Sequence, residues 1–398
     1  MAVGHEGLLA EARAELPAAV DLRRRIHANP ELGLVLPETQ RAVLEALEGQ
    51  GFEVATGGAT SAVVATLEGA RPGPTILLRA DMDALPMDEE SGVAFASRHA
   101  GRMHACGHDA HVAMLAGAAK LLARRRAELA GSVKLLFQPG EEGFGGARIL
   151  LEEGLLEAPP RVDAAFAIHV DSTLPRGRVA LRPGPILAAG DLLSIDLVGR
   201  GGHASMPHLA ADPIPVACEL VTALSSFVTR RIDAFDPVVI TISRIQAGST
   251  SNVIPQTAHL LGTIRSVSER TRAAAHDGVR RLAEGIAAAH GIDAKVHVVP
   301  GYPVTVNDAG VAGFARKVAG ELLGADAVID MRAPIMGAED FSYVLERVPG
   351  ALVFLGARHG EGESAPLHSN RMRIDEDAMA AGIALHTAMA IEWLRERA

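Results

Sequence analysis

The sequence predicts an α/β protein with a mostly parallel sheet and a smaller α+β module inserted into the chain. Short apolar runs alternate with helical segments through the first part of the chain and again after Pro300. In between, the order is strand, helix, strand, strand, helix, strand, which is the order of a ferredoxin-like module. We therefore predict one α/β domain built from residues 1–186 and 300–398, with residues 187–299 as the insert.

Apolar periodicity defines the elements of the α/β domain. Apolar residues spaced three and four apart predict helices, and short apolar runs bounded by Pro or Gly predict buried strands. The predicted helices are Arg13–His27, Pro37 to about Gly49, Ala110–Leu129, Ala309–Leu323 and Asp375–Arg395. The predicted strands are Thr75–Arg79, Val133–Phe137, Ala164–Ile168 and Ala351–Leu355. Buried runs separated by helices indicate parallel strands with helices on both faces of the sheet.

The insert carries its own helix start signals. Asp212 followed by Pro213 is an N-cap with proline at the first helical position, and Ser268 opens a second helix. These two helices are predicted to end near Arg230 and Gly291. The predicted strands around them are Asp191–Val198, Pro237–Gln246, Ala258–Arg265 and Lys295–Val299.

Composition excludes several classes of protein. The chain has 398 residues, a formal net charge of −10 and 3% aromatic residues, which argues against nucleic-acid binding. No apolar stretch reaches the roughly 18 residues of a membrane-spanning helix. The N-terminus lacks the basic and apolar regions of a signal peptide, and two cysteines cannot form a disulfide framework. We expect a soluble, cytoplasmic protein with neither a membrane nor a nucleic acid as partner.

The densest chemical feature is a short run that contains histidines and one of the cysteines. Cys106 and His108 are separated by one glycine just before a predicted helix, so both side chains can point at one cation. His104 and His111 are interpreted as structural or ligand-orienting groups. The other cysteine, Cys218, is expected to be a small buried side chain of the first helix of the insert.

Polar side chains also follow the ends of three predicted strands. Asp81 and Asp83 follow the first strand, and His169 follows the third. Glu141 and Glu142 follow the second strand, beside glycines. Because α/β sheets bind ligands at the carboxyl ends of their strands, we expect these side chains to meet. Adjacent residues of an extended segment point opposite ways, so one glutamate is expected to bind metal and the other to face substrate.

Seven motifs occur together in a recognisable order. They are His27–Gly33, Arg79–Pro86, Met103–His111, Gln138–Gly143, Gly201–Ala204, Ser251–Pro255 and Leu367–Ser369. Together they resemble the amidohydrolase branch of the dinuclear metallo-aminoacylase and carboxypeptidase family, the branch of hippurate hydrolases and plant auxin-conjugate hydrolases. The resemblance covers roughly residues 15–395. It implies a catalytic α/β domain with the insert as a lid.

The resemblance also implies a role for individual residues. The implied metal ligands, with the first of them bridging two ions, are Cys106, His108, Glu142, His169 and His368. Glu141 would be the general base. The lid residues that would meet the substrate are His203, Asn252 and Arg265.

Two positions depart from the wider family. A His-x-Asp, with the histidine as ligand, is common where this chain has Asp81-Met82-Asp83. Cys106 stands where the wider family has a bridging aspartate. Both departures are usual in the hippurate-hydrolase branch. We therefore treat Asp81 and Asp83 as groups that orient the metal ligands.

The implied reaction is hydrolysis of the amide bond of an N-acyl amino acid. Two divalent ions would lower the pKa of a bridging water and polarise the acyl carbonyl. Glu141 would take the proton of that water and pass it to the leaving nitrogen. His203 would donate a hydrogen bond to the oxyanion, and Arg265 would bind the α-carboxylate. A thiolate ligand favours zinc, manganese, nickel or cobalt over magnesium and calcium.

Two other functions stay open at the level of the sequence. A dipeptidase or carboxypeptidase of the same family would differ only in what fills the acyl pocket. A binding protein with a structural metal is the second, but structural zinc sites have four ligands and no base, so five implied ligands and Glu141 argue against it. The insert could also form a homodimer or homotetramer through an exposed sheet edge or helix.

Overall fold

The computed structural model of the chain describes residues 5–398, with side chains from residue 7 onward. The chain divides into two compact units. The first consists of the chain up to Ile186 with Val306–Ala333 and Asp340–Ala398, and the second of Leu187–Thr305 with Pro334–Glu339. The second unit therefore contains the predicted insert of residues 187–299 and extends beyond its C-terminal boundary.

Helices and strands are numbered here along the chain. The helices are α1 (His5–His27), α2 (Pro37–Leu47), α3 (His108–Arg124), α4 (Gly146–Glu152), α5 (Pro213–Arg231), α6 (Glu269–Ala289), α7 (Ala309–Leu323), α8 (Ser342–Leu345) and α9 (Ala378–Arg397). The strands are β1 (Glu53–Thr56), β2 (Val63–Glu68), β3 (Arg71–Asp81), β4 (Ala130–Gln138), β5 (Ala164–Asp171), β6 (Val179–Leu181), β7 (Gly184–Leu187), β8 (Ala189–Val198), β9 (Gly202–His203), β10 (Val238–Ala247), β11 (Val253–Ile254), β12 (Thr257–Ser266), β13 (Asp293–Val299), β14 (Thr305–Asn307), β15 (Val328–Asp330) and β16 (Gly350–Gly356).

An eight-stranded sheet forms the centre of the first unit, in the order β1-β2-β4-β3-β5-β16-β6-β15. Its central strands β4, β3, β5 and β16 are parallel, which confirms the predicted fold class. At one edge, β1 and β2 pair antiparallel, and this edge was not predicted from the sequence. Strand β1 is exposed at all its positions, so no apolar run marks it. Strand β2 alternates buried and half-buried positions and was missed as well.

The core of the first unit lies between the sheet and helices α1, α3, α7 and α9. Strand β4 is buried at every position, as expected for an inner strand of a parallel sheet. Helix α3 ends at Arg124 and not at the predicted Leu129. Its apolar periodicity stops at Leu122, and a short 3₁₀ turn over Arg126–Glu128 follows.

The second unit contains an antiparallel sheet in the order β10-β12-β8-β13. The predicted caps are present, because Asp212 accepts a hydrogen bond from the N–H of Ile214 and Ser268 accepts one from Thr271. Helices α5 and α6 share one hydrophobic core with the sheet. A two-stranded ribbon of β9 and β11, absent from the prediction, adds to this arrangement.

The expectation that Cys218 is buried is wrong. Its side chain is exposed, because α5 buries a single face whose residues include Val216, Ala217 and Leu220.

Among residues 5–398, no helix combines the length and apolar character needed to cross a membrane.

Candidate metal centre

The parallel strands bring the predicted site residues of the first unit to one edge of the sheet. Strands β4, β3 and β5 are neighbours, so their carboxyl ends lie side by side. Asp81 is the last residue of β3, and His169 lies near the end of β5. The turn that carries Glu141 and Glu142 follows β4.

Cys106 lies at the centre of two groups of possible metal ligands. Its Sγ atom is 3.5 Å from Nε2 of His169 and 3.2 Å from Nε2 of His368. That nitrogen of His368 is in turn 3.3 Å from Oε1 of Glu142. Donor atoms of Cys106, His108 and His169 form one compact group, and those of Cys106, Glu142 and His368 form another. The five implied ligands are therefore together, with the thiol shared.

Hydrogen bonds to backbone carbonyls set the tautomers of two histidines. Nδ1 of His108 lies 2.9 Å from the carbonyl oxygen of Asp83, and Nδ1 of His169 lies 2.7 Å from that of Val170. Because a carbonyl only accepts, each Nδ1 donates, and in the neutral ring each Nε2 keeps a lone pair for a metal. Burial, with His111 nearby, lowers the pKa of His169 well below its usual value and favours this neutral form.

Several carboxylates place negative charge around His108 and Cys106. Burial alone would lower the pKa of His108, but Asp81, Asp83 and Glu142 outweigh it and raise that pKa to about 10. Burial, together with Glu142, raises the pKa of the Cys106 thiol well above its usual value. A divalent cation would relieve both effects, because it balances the carboxylates and favours the thiolate.

The two adjacent glutamates lie in a turn, and the expectation that they point in opposite directions is wrong. One carboxylate oxygen of Glu141, one of Glu142 and a ring nitrogen of His108 all lie within 4.8 Å of one another. The carboxylate of Asp83 explains this convergence, since its oxygens accept the N–H of Glu141 at 2.9 Å and of Glu142 at 3.0 Å. Asp83 therefore holds the turn in a shape that directs both side chains inward.

Both carboxylate oxygens of Asp81 accept a hydrogen bond. One oxygen accepts a hydrogen bond from Nδ1 of His111 at 2.5 Å, and the other accepts one from Arg79 at 2.5 Å. His111 also accepts the N–H of Val170 through Nε2 at 2.8 Å, so both of its nitrogens are used. Asp81 and His111 are thus placed to orient neighbouring groups.

His104 is buried, and burial lowers its pKa to about 3.

His368 has an unusual backbone. Its φ is +65°, and it is the one non-glycine residue with positive φ in the described part of the chain. Its N–H donates to the carbonyl of Ala105 at 2.8 Å, which ties the loop to the residue before Cys106. Backbone strain of this kind often occurs at functional sites, and here it brings Nε2 to the shared thiol.

The donor set fits divalent transition ions. It combines a thiol, imidazole nitrogens and carboxylates, which suit zinc, manganese, nickel and cobalt better than magnesium or calcium. Nε2 of His108 is buried and has no hydrogen-bond partner among the described residues. A buried polar atom of this kind costs free energy unless something binds it, and a metal ion would.

Some residues around the site were not found by sequence reasoning. Buried Arg79 donates to Gln138 at 3.0 Å and to Asp340 at 3.0 Å as well as to Asp81. Asp340 also accepts the N–H of Ala147 at 2.9 Å. Arg79 opens one of the seven motifs, two residues before Asp81, so the sequence contained a signal for it. No local pattern marked Asp340, which lies 261 residues from Arg79.

The three implied lid residues belong to the second unit. The β9–β11 ribbon brings His203 opposite Val253, and the N–H of Ala204 donates to the carbonyl of Asn252 at 3.1 Å. Nδ1 of exposed His203 accepts the N–H of Ser205 at 3.1 Å, so in the neutral ring Nε2 carries the proton and can donate it.

Arg265, on β12, is half-buried. No ion pair or hydrogen bond of its guanidinium occurs within residues 7–398. Because a half-buried guanidinium without a partner retains its donors, it can accept an anionic ligand.

Comparison with known proteins agrees with this chemistry. Residues 77–392 match the model of Peptidase family M20/M25/M40. The chain is 41% identical over 379 residues to thermostable carboxypeptidase 2 of Saccharolobus solfataricus, covering 94% of this chain and 95% of that protein. It is 39% identical over 383 residues to IAA-amino acid hydrolase ILR1-like 2 of Arabidopsis thaliana, covering 95% and 86%.

A solved structure is also similar. A dinuclear metal-binding peptidase of the M20 family from Bacillus subtilis superposes with a TM-score of 0.83 at 34% identity. The match covers 96% of this chain and 99% of that one. The chain is therefore a metal-dependent hydrolase that belongs to the peptidase family M20/M25/M40.

Proposed function

We propose that this protein hydrolyses the amide bond of N-acyl amino acids and releases a carboxylic acid and a free amino acid. The observation that carries the proposal is the arrangement of five donor residues around the shared Cys106, with the additional carboxylate of Glu141 beside them. A structural metal site has no use for that additional carboxylate, whereas a hydrolase needs a base. The IAA-amino acid hydrolase among the relatives supports the substrate class.

We propose that Cys106, His108, Glu142, His169 and His368 hold two divalent ions. When bound, these ions supply a water of lowered pKa and polarise the acyl carbonyl. Glu141 accepts the proton of the attacking water and returns it to the leaving nitrogen. The Nε2–H of His203 donates to the oxyanion, a contact worth about 10²–10³ in rate. The unpaired guanidinium of Arg265 binds the α-carboxylate.

A panel of substrates tests the proposal. The full-length protein, loaded in turn with zinc, manganese, nickel or cobalt, is assayed with acetyl, benzoyl and indoleacetyl amino acids and with the amides of the same compounds. We expect metal-dependent release of the free amino acid, with a preference for the acids. Glu141→Gln serves as the control for hydrolysis at this site. Lack of turnover with every acyl group and every metal would contradict the proposal.

Carboxypeptidase activity is the second candidate, and the 41% identity to a thermostable carboxypeptidase favours it. Both substrate classes present a free α-carboxylate to Arg265, so the acyl side decides between them. The same panel therefore includes unblocked dipeptides and N-acylated dipeptides. Faster release of the C-terminal residue from peptides than of the amino acid from simple acyl conjugates would favour the carboxypeptidase.

A further inference from the structure

We propose that Arg23 and His27, which lie on helix α1 and are not among the implied ligands, are positioning residues of the metal centre. They contact the carboxylate of Asp109 and thereby restrain the first turn of α3, whose residue His108 would bind a metal ion. This inference rests on the metal centre of the proposed function. We call Arg23 and His27 the α1 clamp.

Both residues of the α1 clamp contact the same buried oxygen atom. Nδ1 of His27 makes a hydrogen bond with Oδ2 of Asp109 at 2.8 Å. Nε of Arg23 lies 3.0 Å from the same atom and forms an ion pair with it, without the geometry of a hydrogen bond. The two clamp residues are four positions apart, so they share one face of α1. Their side chains are 3% exposed and that of Asp109 is fully buried, so water does not screen the contacts.

Other carboxylates hold the α1 clamp in place from its outer side. Nε2 of His27 lies 3.0 Å from Oε1 of Glu89, and Nη1 of Arg23 donates to Glu376 at 2.7 Å. With a carboxylate at each ring nitrogen, His27 is held as an imidazolium: burial alone would lower its pKa, but Asp109 and Glu89 raise it to about 9. The charge on Asp109 is therefore balanced from α1, and neither clamp side chain is free to move away.

The first turn of α3 is held by side chains of its own residues and not by a cap. Nδ1 of His108 donates to the carbonyl of Asp83, and His111 contacts Asp81. The N-cap position is Gly107, with φ +83° and no side chain to cap the helix. His108 is the first residue of the helix, and Asp109, the next residue, is the acidic group of its first turn. A metal ligand must be held to within about 0.5 Å of its productive position. Asp109, in contact with the α1 clamp, adds a restraint from α1 one residue away from His108.

The second unit contains a matched control. Arg272 and His276, again four positions apart on one helix, hold the buried carboxylate of Asp191. Nη2 of Arg272 lies 2.5 Å from Oδ1 of that residue, and Nε2 of His276 lies 2.6 Å from Oδ2. We call this pair the α6 clamp. It has the same residue types and spacing as the α1 clamp, but no implied metal ligand belongs to its unit.

The experiment compares zinc affinity with stability in the full-length protein. His27→Gln and Arg23→Gln represent the α1 clamp, and His276→Gln and Arg272→Gln represent the α6 clamp. Each protein is stripped with a chelator, titrated with zinc against a chromophoric competitor, and unfolded in urea without metal. We expect the α1 variants to bind zinc about 10–100-fold more weakly, as for other residues that orient metal ligands. The α6 variants should lose stability but keep the zinc affinity of the wild type.

Conservative substitution keeps the test decisive if a glutamine variant does not fold. Arg23→Lys retains the buried positive charge, but one ammonium group cannot reach both Asp109 and Glu376, so an intermediate loss of zinc affinity is expected. Unchanged affinity in folded α1 variants, with stability lowered as in the α6 variants, would show that the clamp is only structural and overturn the inference. If the wild type binds zinc yet hydrolyses no substrate of the panel, the proposed function fails while the affinity comparison still decides the role of the clamp. Absence of zinc binding by the wild type would overturn both.

Discussion

The guanidinium of Arg265 lies across Gly190, its direct partner on the neighbouring strand of the second unit. A Cβ atom at Gly190 would stand 1.8 Å from Nη1 of Arg265 and 3.0 Å from the side chain of Ala338. The space that a side chain would fill on β8 is therefore occupied by the proposed carboxylate-binding group. Glycine at this position sets where that group lies.

Gly190→Ala should therefore weaken substrate binding. The added methyl group displaces the guanidinium, and a lost charge-assisted hydrogen bond is worth about 1.5–3 kcal/mol, or roughly 10–150-fold. We expect kcat/KM for N-acyl amino acids to fall by at least about tenfold, mainly through KM, with a smaller effect on the matching amides. Arg265→Lys should show the same selectivity, because an ammonium does not copy the planar fork.

A second glycine supplies the control for Gly190→Ala. Gly285 lies in helix α6, and a Cβ atom added there would meet no other atom within 4 Å. Gly285→Ala should therefore leave the kinetics unchanged and slightly raise stability. Equal losses for acid and amide substrates in Gly190→Ala would mean that Arg265 does not bind the carboxylate.

The two adjacent glutamates should respond differently to the same substitution. Glu141→Gln should keep metal content near that of the wild type while kcat falls by at least about 10²-fold, the lower end of general-base contributions. Glu142→Gln should lower metal occupancy, because Oε1 of Glu142 lies 3.3 Å from His368 in the donor group around Cys106. Metal content measured by mass spectrometry, alongside initial rates, separates the two. Equal metal loss in both variants would reverse the assignment.

The two cysteines should differ in their reaction with a thiol reagent. Cys218 is exposed and should react quickly with or without metal, contrary to the expectation from the sequence. Cys106 is buried and burial raises its pKa, so in the metal-free protein it should react slowly and faster at higher pH. Metal should protect it completely. The Cys218→Ser variant isolates the signal, and labelling of Cys106 at the same rate with metal bound would remove it from the ligand set.

His27 should make stability depend on pH in the alkaline range. Its pKa is raised to about 9 by Asp109 and Glu89 against burial and nearby Arg23, whereas in the unfolded chain it returns to about 6.5. The native state then binds more protons between these values. The contribution, about 3 kcal/mol at most, is complete below pH of about 6.5 and is lost as pH rises through about 9.

The comparison of wild type with His27→Gln isolates this effect from all other titrating groups. Urea unfolding between pH 6 and 10 gives the difference in free energy of unfolding. That difference should shrink as the pH rises. A difference independent of pH over this range would contradict the charged state assigned to His27.

The sequence alone determined much of this protein, because the relevant information is local. Periodicity and caps such as Asp212 define the long helices, and an apolar run defines each of the four central parallel strands. Cys106 and His108 are two positions apart, and Asp81 ends its strand, so a site at the carboxyl edge of the sheet followed from the chain order. The exposed strand β1 left no apolar trace and was missed.

Only the tertiary structure decided how the proposed ligands are held. Asp83 converts an adjacent glutamate pair into a converging one through two backbone N–H groups 58 and 59 residues away. Arg23 and His27 reach Asp109 from helix α1. The periodicity of this helix does not mark the contact, although His27 opens one of the seven motifs. Buried charged side chains need a partner of opposite charge, and packing can supply it from any part of the chain. Pairs that are so distant in the sequence produce no periodic pattern. The sequence, through its resemblance to a family, therefore proposes which residues are ligands, whereas the fold sets their geometry.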